Sequence, residues 1–96
     1  MRVKLYEADG ATRIHIDASV TDEGDLQVAG HDIGEAPKKW WGHDDYEYIV
    51  TIRKKDKDRL LLALIEATFG DDASAVSRFR DFAREKDIPY GWFTWP

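Results

Sequence analysis

The chain contains no cysteine, which excludes disulfides, thiolate metal sites and cysteine nucleophiles, and nothing in it demands an oxidising compartment. Long apolar runs are missing as well. The longest aliphatic stretch, Leu60 to Ile65, falls far short of the roughly 20 residues that cross a bilayer. The opening Met1-Arg2-Val3-Lys4-Leu5-Tyr6 lacks the apolar block of a signal peptide, so the expectation is a cytoplasmic protein with no membrane partner. No phosphate loop, nucleophile elbow or dinucleotide fingerprint is present, and neither is a repeat, a linker or a low-complexity segment. Net positive charge is lacking too: a balance of −5 argues against electrostatic binding to nucleic acid.

What is there suits one domain, residues 1–96, with enough chain for a two-layer core. Hydrophobic content of 43% and charged content of 34% lie in the ordinary globular range. The acidity is uneven. Residues 1–48 carry five Lys/Arg against eleven Asp/Glu, while residues 49–96 carry nine against eight. A basic protein surface is the natural complement of the first half, although solubility alone also accounts for a modest negative charge.

Alternation predicts strands. Arg2 to Glu7 sets Val3 and Leu5 against Arg2, Lys4 and Tyr6; Arg13 to Ala18 sets Ile14 and Ile16 against Arg13, His15 and Asp17; Asp25 to Ala29 turns Leu26 and Val28 inward. Asp9-Gly10 and Thr21-Asp22-Glu23-Gly24 are the turns between them, with glycine there to supply positive φ. Tyr46 to Arg53 is a fourth strand with Tyr46, Tyr48, Val50 and Ile52 on one face. Lys57 to Phe69 then reads as a helix, with Asp56 as N-cap and Gly70 as a left-handed stop, and it is apolar around most of its circumference. A second helix, about Ala73 to Lys86, carries the stripe Ala75, Val76, Phe79, Phe82 and Ala83, is capped by Asp72 or Ser74 and ends at Ile88-Pro89. The predicted fold is therefore two-layer α+β: a four-stranded antiparallel meander covered by two C-terminal helices. The aromatic tail Tyr90 to Pro96 closes it as a fifth strand or as a strap against the helices.

Between the third and fourth strands, Gly30 to Asp45 is expected to be a long structured loop. Neighbouring side chains point apart, so one of Trp40 and Trp41 should be buried and the other should reach a contact surface. His31-Asp32 and His43-Asp44 raise a metal reading, because imidazole and carboxylate suit zinc or manganese, but their spacing fits no helical ligand pattern and side-chain-closed turns explain them equally. The pairs also bring to mind the metal-dependent "HD" phosphohydrolases, which are helical and much longer. Asp44, Asp45 and Glu47, with His43 or His15, could act as acid and base. That would require a carboxylate perturbed by burial or by a like charge, whereas Glu47 on the polar side of its strand is expected to be solvated or to pair with Arg53 or Arg13. The run Arg53 to Arg59 is diluted by Asp56 and Asp58 and reads as a solvated junction. Arg80 and Arg84 could meet an acidic partner or pair with Asp81 and Glu85.

The chain resembles a group of small uncharacterised bacterial proteins. The residues that carry the likeness are Asp9-Gly10, Gly30-His31-Asp32-Ile33-Gly34, Trp41-Gly42, Asp45-Tyr46-Glu47-Tyr48, the helix from Asp58 to Gly70, and Ile88-Pro89-Tyr90 with Trp92 to Trp95. The resemblance covers nearly the whole chain and implies a bacterial, self-contained domain without bringing an activity.

From these readings the expected function is a non-enzymatic protein-interaction domain of immunity, antitoxin or inhibitor type, working through the 31–45 loop. Its binding residues would be Trp40, Trp41, His43, Asp44, Asp45 and Glu47, with Trp92 and Trp95 from the tail. No catalytic residue, metal or cofactor is expected, and the chain would be a monomer or a homodimer. The alternative is a small enzyme or ligand-binding protein with a pocket of His43, Asp44, Glu47 and Tyr48 beneath the loop.

Overall fold

The computed structural model describes residues 1–42 and 45–96, apart from the side chain of Trp41. The element order is β1 (Arg2–Ala8), β2 (Thr12–Val20), β3 (Leu26–Gly34), α1 (Glu35–Trp41), β4 (Asp45–Ile52), a 3-10 turn (Lys54–Asp56), α2 (Lys57–Phe69) and α3 (Ala75–Glu85). The chain divides into two compact units, Met1–Asp58 and Arg59–Pro96.

The first unit is a four-stranded antiparallel sheet in the order β1-β2-β3-β4, the expected meander. Its register sorts the side chains into two faces, because directly paired residues share a side. One face pairs Val3 with Ala18 and Tyr6 with Ile16, and continues through Val28 opposite Val50 and Leu26 opposite Ile52. The other pairs Glu7 with His15, His15 with His31, and His31 with Glu47. Leu5 is an extra residue in β1, where the register shifts between Lys4 and Tyr6. That bulge moves Tyr6 to the side of Val3, whereas simple alternation groups it with Arg2 and Lys4.

The β2–β3 turn is closed by Thr21, whose backbone N–H donates to Asp25 O at 2.8 Å and whose hydroxyl accepts from Asp25 N at 3.1 Å. Gly24 takes the left-handed conformation there at φ 89°, while Gly10 in the first turn does not. At the far end of β4, Asp25 holds the exit from the sheet: its carboxylate accepts from Lys54 N at 2.8 Å and from Arg53 Nη1 at 3.2 Å. The Lys54 amide, and after it the Arg53 guanidinium, keep that carboxyl below the ordinary aspartate range. Asp56 belongs to the 3-10 turn that leads into α2 and so does not cap the helix from outside.

In the second unit, α2 has the predicted limits. Its stop differs in mechanism. Gly70 continues the helical hydrogen bonding to Glu66 O at 2.8 Å, and Asp71 takes the left-handed position at φ 55°. Gly70 is required sterically, because a β-carbon there would strike the Glu66 carbonyl. Phe69 meets α3 edge-on, with ring centroids 5.8 Å from Phe79 and 6.3 Å from Phe82, and Arg78 lies over its face. Ser74 is the first-turn residue of α3 but makes no side-chain cap. Asp72 acts instead, accepting from Ser74 N and from Arg78. Beyond α3, Ile88 N bonds back to Ala83 O at 2.8 Å around Asp87 at φ 56°, a Schellman ending without glycine.

The tail forms no strand and is fastened to α3 as a strap. Arg84 Nε donates to the Tyr90 hydroxyl at 3.2 Å, and the Arg80 guanidinium sits 4.5 Å from the Trp92 ring centre. Those two arginines are thus engaged by the tail, with Arg80 also 3.6 Å from Asp81.

Candidate functional site

The stretch expected to be a loop is mostly regular structure. β3 runs on to Gly34, and Glu35–Trp41 is α1. The reason lies in two glycines. Gly30 is a buried strand position roofed by the ring of its cross-strand partner Tyr48, so closely that a β-carbon there would enter the ring. Gly34, at φ 133°, passes so near the Ala11 carbonyl that no other residue fits, and the chain turns there into α1. The first amides of α1 are taken up from the β1–β2 side: Glu35 N donates to Ala11 O at 3.2 Å and Ala36 N to Thr12 Oγ1 at 3.0 Å. Pro37 falls in the first turn, where its missing N–H costs nothing, and Gly42 ends the helix in the left-handed region at φ 78°.

This geometry separates the residues of the His31-Asp32 pair. Strand alternation sends Asp32 to the apolar face, where its carboxylate accepts from the Tyr48 hydroxyl at 2.8 Å, and sends His31 to the polar face. The hydrogen bond to Asp32 raises the Tyr48 hydroxyl above the ordinary tyrosine range. Tyr46 adds a tilted ring contact to Tyr48, with centroids 5.6 Å apart. Glu47 and Tyr48 likewise emerge on opposite faces of β4, so they line no common pocket.

Of the candidate binding residues, Trp40 stands out on α1 at 73% exposure, with Lys39 Nζ 5.6 Å from its ring centre. Asp45 and Glu47 are exposed on the polar face of β4. His43 and Asp44 lie outside the described residues, as does the side chain of Trp41. Trp92 and Trp95 are exposed on the tail of the second unit, where Trp95 packs against Phe93 at 6.1 Å.

The polar face holds residues that motif reading passed over. Glu7, His15, His31 and Glu47 form one row across all four strands. Asp17 sits beside it at only 7% exposure, 3.4 Å from His15 Nε2 and 3.5 Å from Arg2 Nη1. His31 Nε2 is enclosed and makes no hydrogen bond, with Glu47 Oε1 at 3.9 Å and Asp45 Oδ2 at 4.0 Å. Glu47 therefore faces His31 instead of Arg53 or Arg13. The signal for this row was available: residues equally distant from the Thr21–Asp25 turn must face one another, and that rule brings His15 to His31.

Two shallow depressions flank the histidines, one of about 190 Å³ reaching Glu7, Arg13 and Ile33, the other of about 270 Å³ reaching Arg2, Asp17 and Glu47. Both are smaller than the roughly 300–1,000 Å³ of ordinary small-molecule pockets. Among the described residues, no three His, Asp or Glu side chains converge as a metal site, and no helix is long and apolar enough to cross a membrane. No family model, curated protein or solved structure matches this chain.

Proposed function

We propose that the chain is a non-enzymatic protein-interaction domain that presents Trp40 from α1 and the acidic residues Asp45 and Glu47 from β4 to a partner with a basic surface. The observation that carries this reading is Trp40, a large anchor-type side chain left 73% exposed on a helix fixed at both ends by Gly34 and Gly42. A rigidly mounted tryptophan loses little conformational freedom on docking, which is why such residues dominate binding energy at interfaces. Asp45 and Glu47 supply the acidic rim, in the half of the chain that carries the negative charge. A bacterial immunity, antitoxin or inhibitor-like role fits a small acidic domain of this kind.

Small-molecule catalysis is the weaker reading. The depressions on the polar face are small and open, and Glu47 and Tyr48, expected to share a pocket, lie on opposite faces.

The test is affinity capture from the native host with mass spectrometry, repeated with Trp40→Ala and with Glu47→Lys. Each variant should lose the captured partner at least tenfold while circular dichroism stays unchanged, and capture by the parent chain should weaken as salt rises. Undiminished capture by both variants rejects this surface.

A further inference from the structure

We infer that the chain works as an obligate homodimer in which the apolar face of one copy's sheet is covered by α2 of the other. Two surfaces in the same chain call for cover. The first is the sheet face that carries Val3, Tyr6, Val28 and Val50, all exposed, with Val50 at 64%. The second is α2 itself. Its apolar side chains run nearly all the way round, and the contacts of Phe69 with Phe79 and Phe82 draw on the end of the helix only, so that Leu61, Leu62 and Leu64 are exposed, Leu62 at 67%. A helix apolar on all sides belongs in an interior. Among the described residues, Ala83 is the one hydrophobic side chain that reaches full burial, at 5% exposure.

Area identifies the occupant. The chain exposes 8207 Å² at a mass of 11.1 kDa. A folded monomer of that mass exposes roughly 5,700 Å², so the chain carries an excess of about 2,500 Å². Two copies that bury this excess against each other remove about 5,000 Å², within the range of obligate homodimers and far above that of transient contacts. A second copy is also the occupant of matching chemistry. It brings one apolar sheet face and one apolar helix, which a two-fold axis pairs reciprocally and closes without leftover surface. The inference does not rest on the partner reading of Trp40, which lies on a different element.

Sedimentation equilibrium on the full chain at micromolar concentration should give twice the chain mass, and the melting temperature should rise with protein concentration. Val50→Lys and Leu62→Lys should each remove the dimer, by giving either the single-chain mass or loss of the cooperative transition. Thr51→Lys, one residue along β4 on the polar face, should keep the parental mass. A cooperatively folded parent chain of 11.1 kDa with a concentration-independent melting temperature means that one copy covers its own apolar surface, and overturns the proposal. Dissociation by Thr51→Lys as complete as that by Val50→Lys overturns the assignment of the face.

Discussion

Gly30 shows how one missing β-carbon sets a whole neighbourhood. Because it has no side chain, the Tyr48 ring can lie flat on β3, and from there its hydroxyl reaches Asp32. Adding a methyl group must push the ring away and break that hydrogen bond. Gly30→Ala is therefore expected to cost about 1–3 kcal/mol in urea unfolding. In a Tyr48→Ala background the same change should be neutral or slightly stabilising, since alanine suits a strand better than glycine. Equal costs in both backgrounds would show that the ring is not the cause. In the sequence, Gly-His-Asp-Ile-Gly read as turn chemistry, since glycine and aspartate are turn formers; that Gly30 was a strand residue depended on an aromatic partner 18 positions away, which local pattern does not display.

Among the elements, α2 was legible to the residue because its signals are local: a dense apolar run between a charged junction and a glycine. The second helix was placed two residues early at its start and one residue late at its end, and the first helix, α1, went unseen. A seven-residue helix has little periodicity to display, and Pro37 reads as a breaker until the helix start is known. The ends of α2 and α3 expose another limit of sequence reading. Both stop at an aspartate in the left-handed region, Asp71 and Asp87, and neither stops at a left-handed glycine. A non-glycine residue there carries a steric cost of roughly 1–2 kcal/mol, which its backbone hydrogen bonds offset. Asp87→Gly should accordingly stabilise the chain by about 1 kcal/mol and raise the melting temperature by roughly 4–8 °C in calorimetry. A fall in melting temperature would mean that the Asp87 carboxylate matters more than its backbone.

At the scale of the molecule, acid should act on both units. Asp25 ties the exit of β4 to the start of β3 in the first unit, and Asp72 holds the start of α3 in the second. Both carboxyls lie below their ordinary range, Asp25 chiefly through the Lys54 amide and Asp72 chiefly through Arg78. A depressed carboxyl contributes stability above its unfolded value that is lost as pH falls through the folded one. Stability should hold at neutral pH and decline below about pH 4, with Asp25→Asn and Asp72→Asn each flattening that decline. Unfolding curves measured along a pH series provide the check, and an unaltered acid slope in both variants removes these two groups from the account. The meander was readable because its turns and alternation are short-range, while the polar row of Glu7, His15, His31 and Glu47 required register, a property of paired strands that no single segment contains.

The bulge at Leu5 carries a last consequence. β1 is an outer strand of the sheet, and an outer strand with regular spacing is a template on which further chains can polymerise. The extra residue breaks that spacing midway along β1, between Lys4 and Tyr6, and the opposite outer strand, β4, places the carboxylates of Asp45 and Glu47 near its beginning. Both margins thus resist endless strand-by-strand growth, which leaves this sheet free to expose an apolar face without becoming the seed of a fibril.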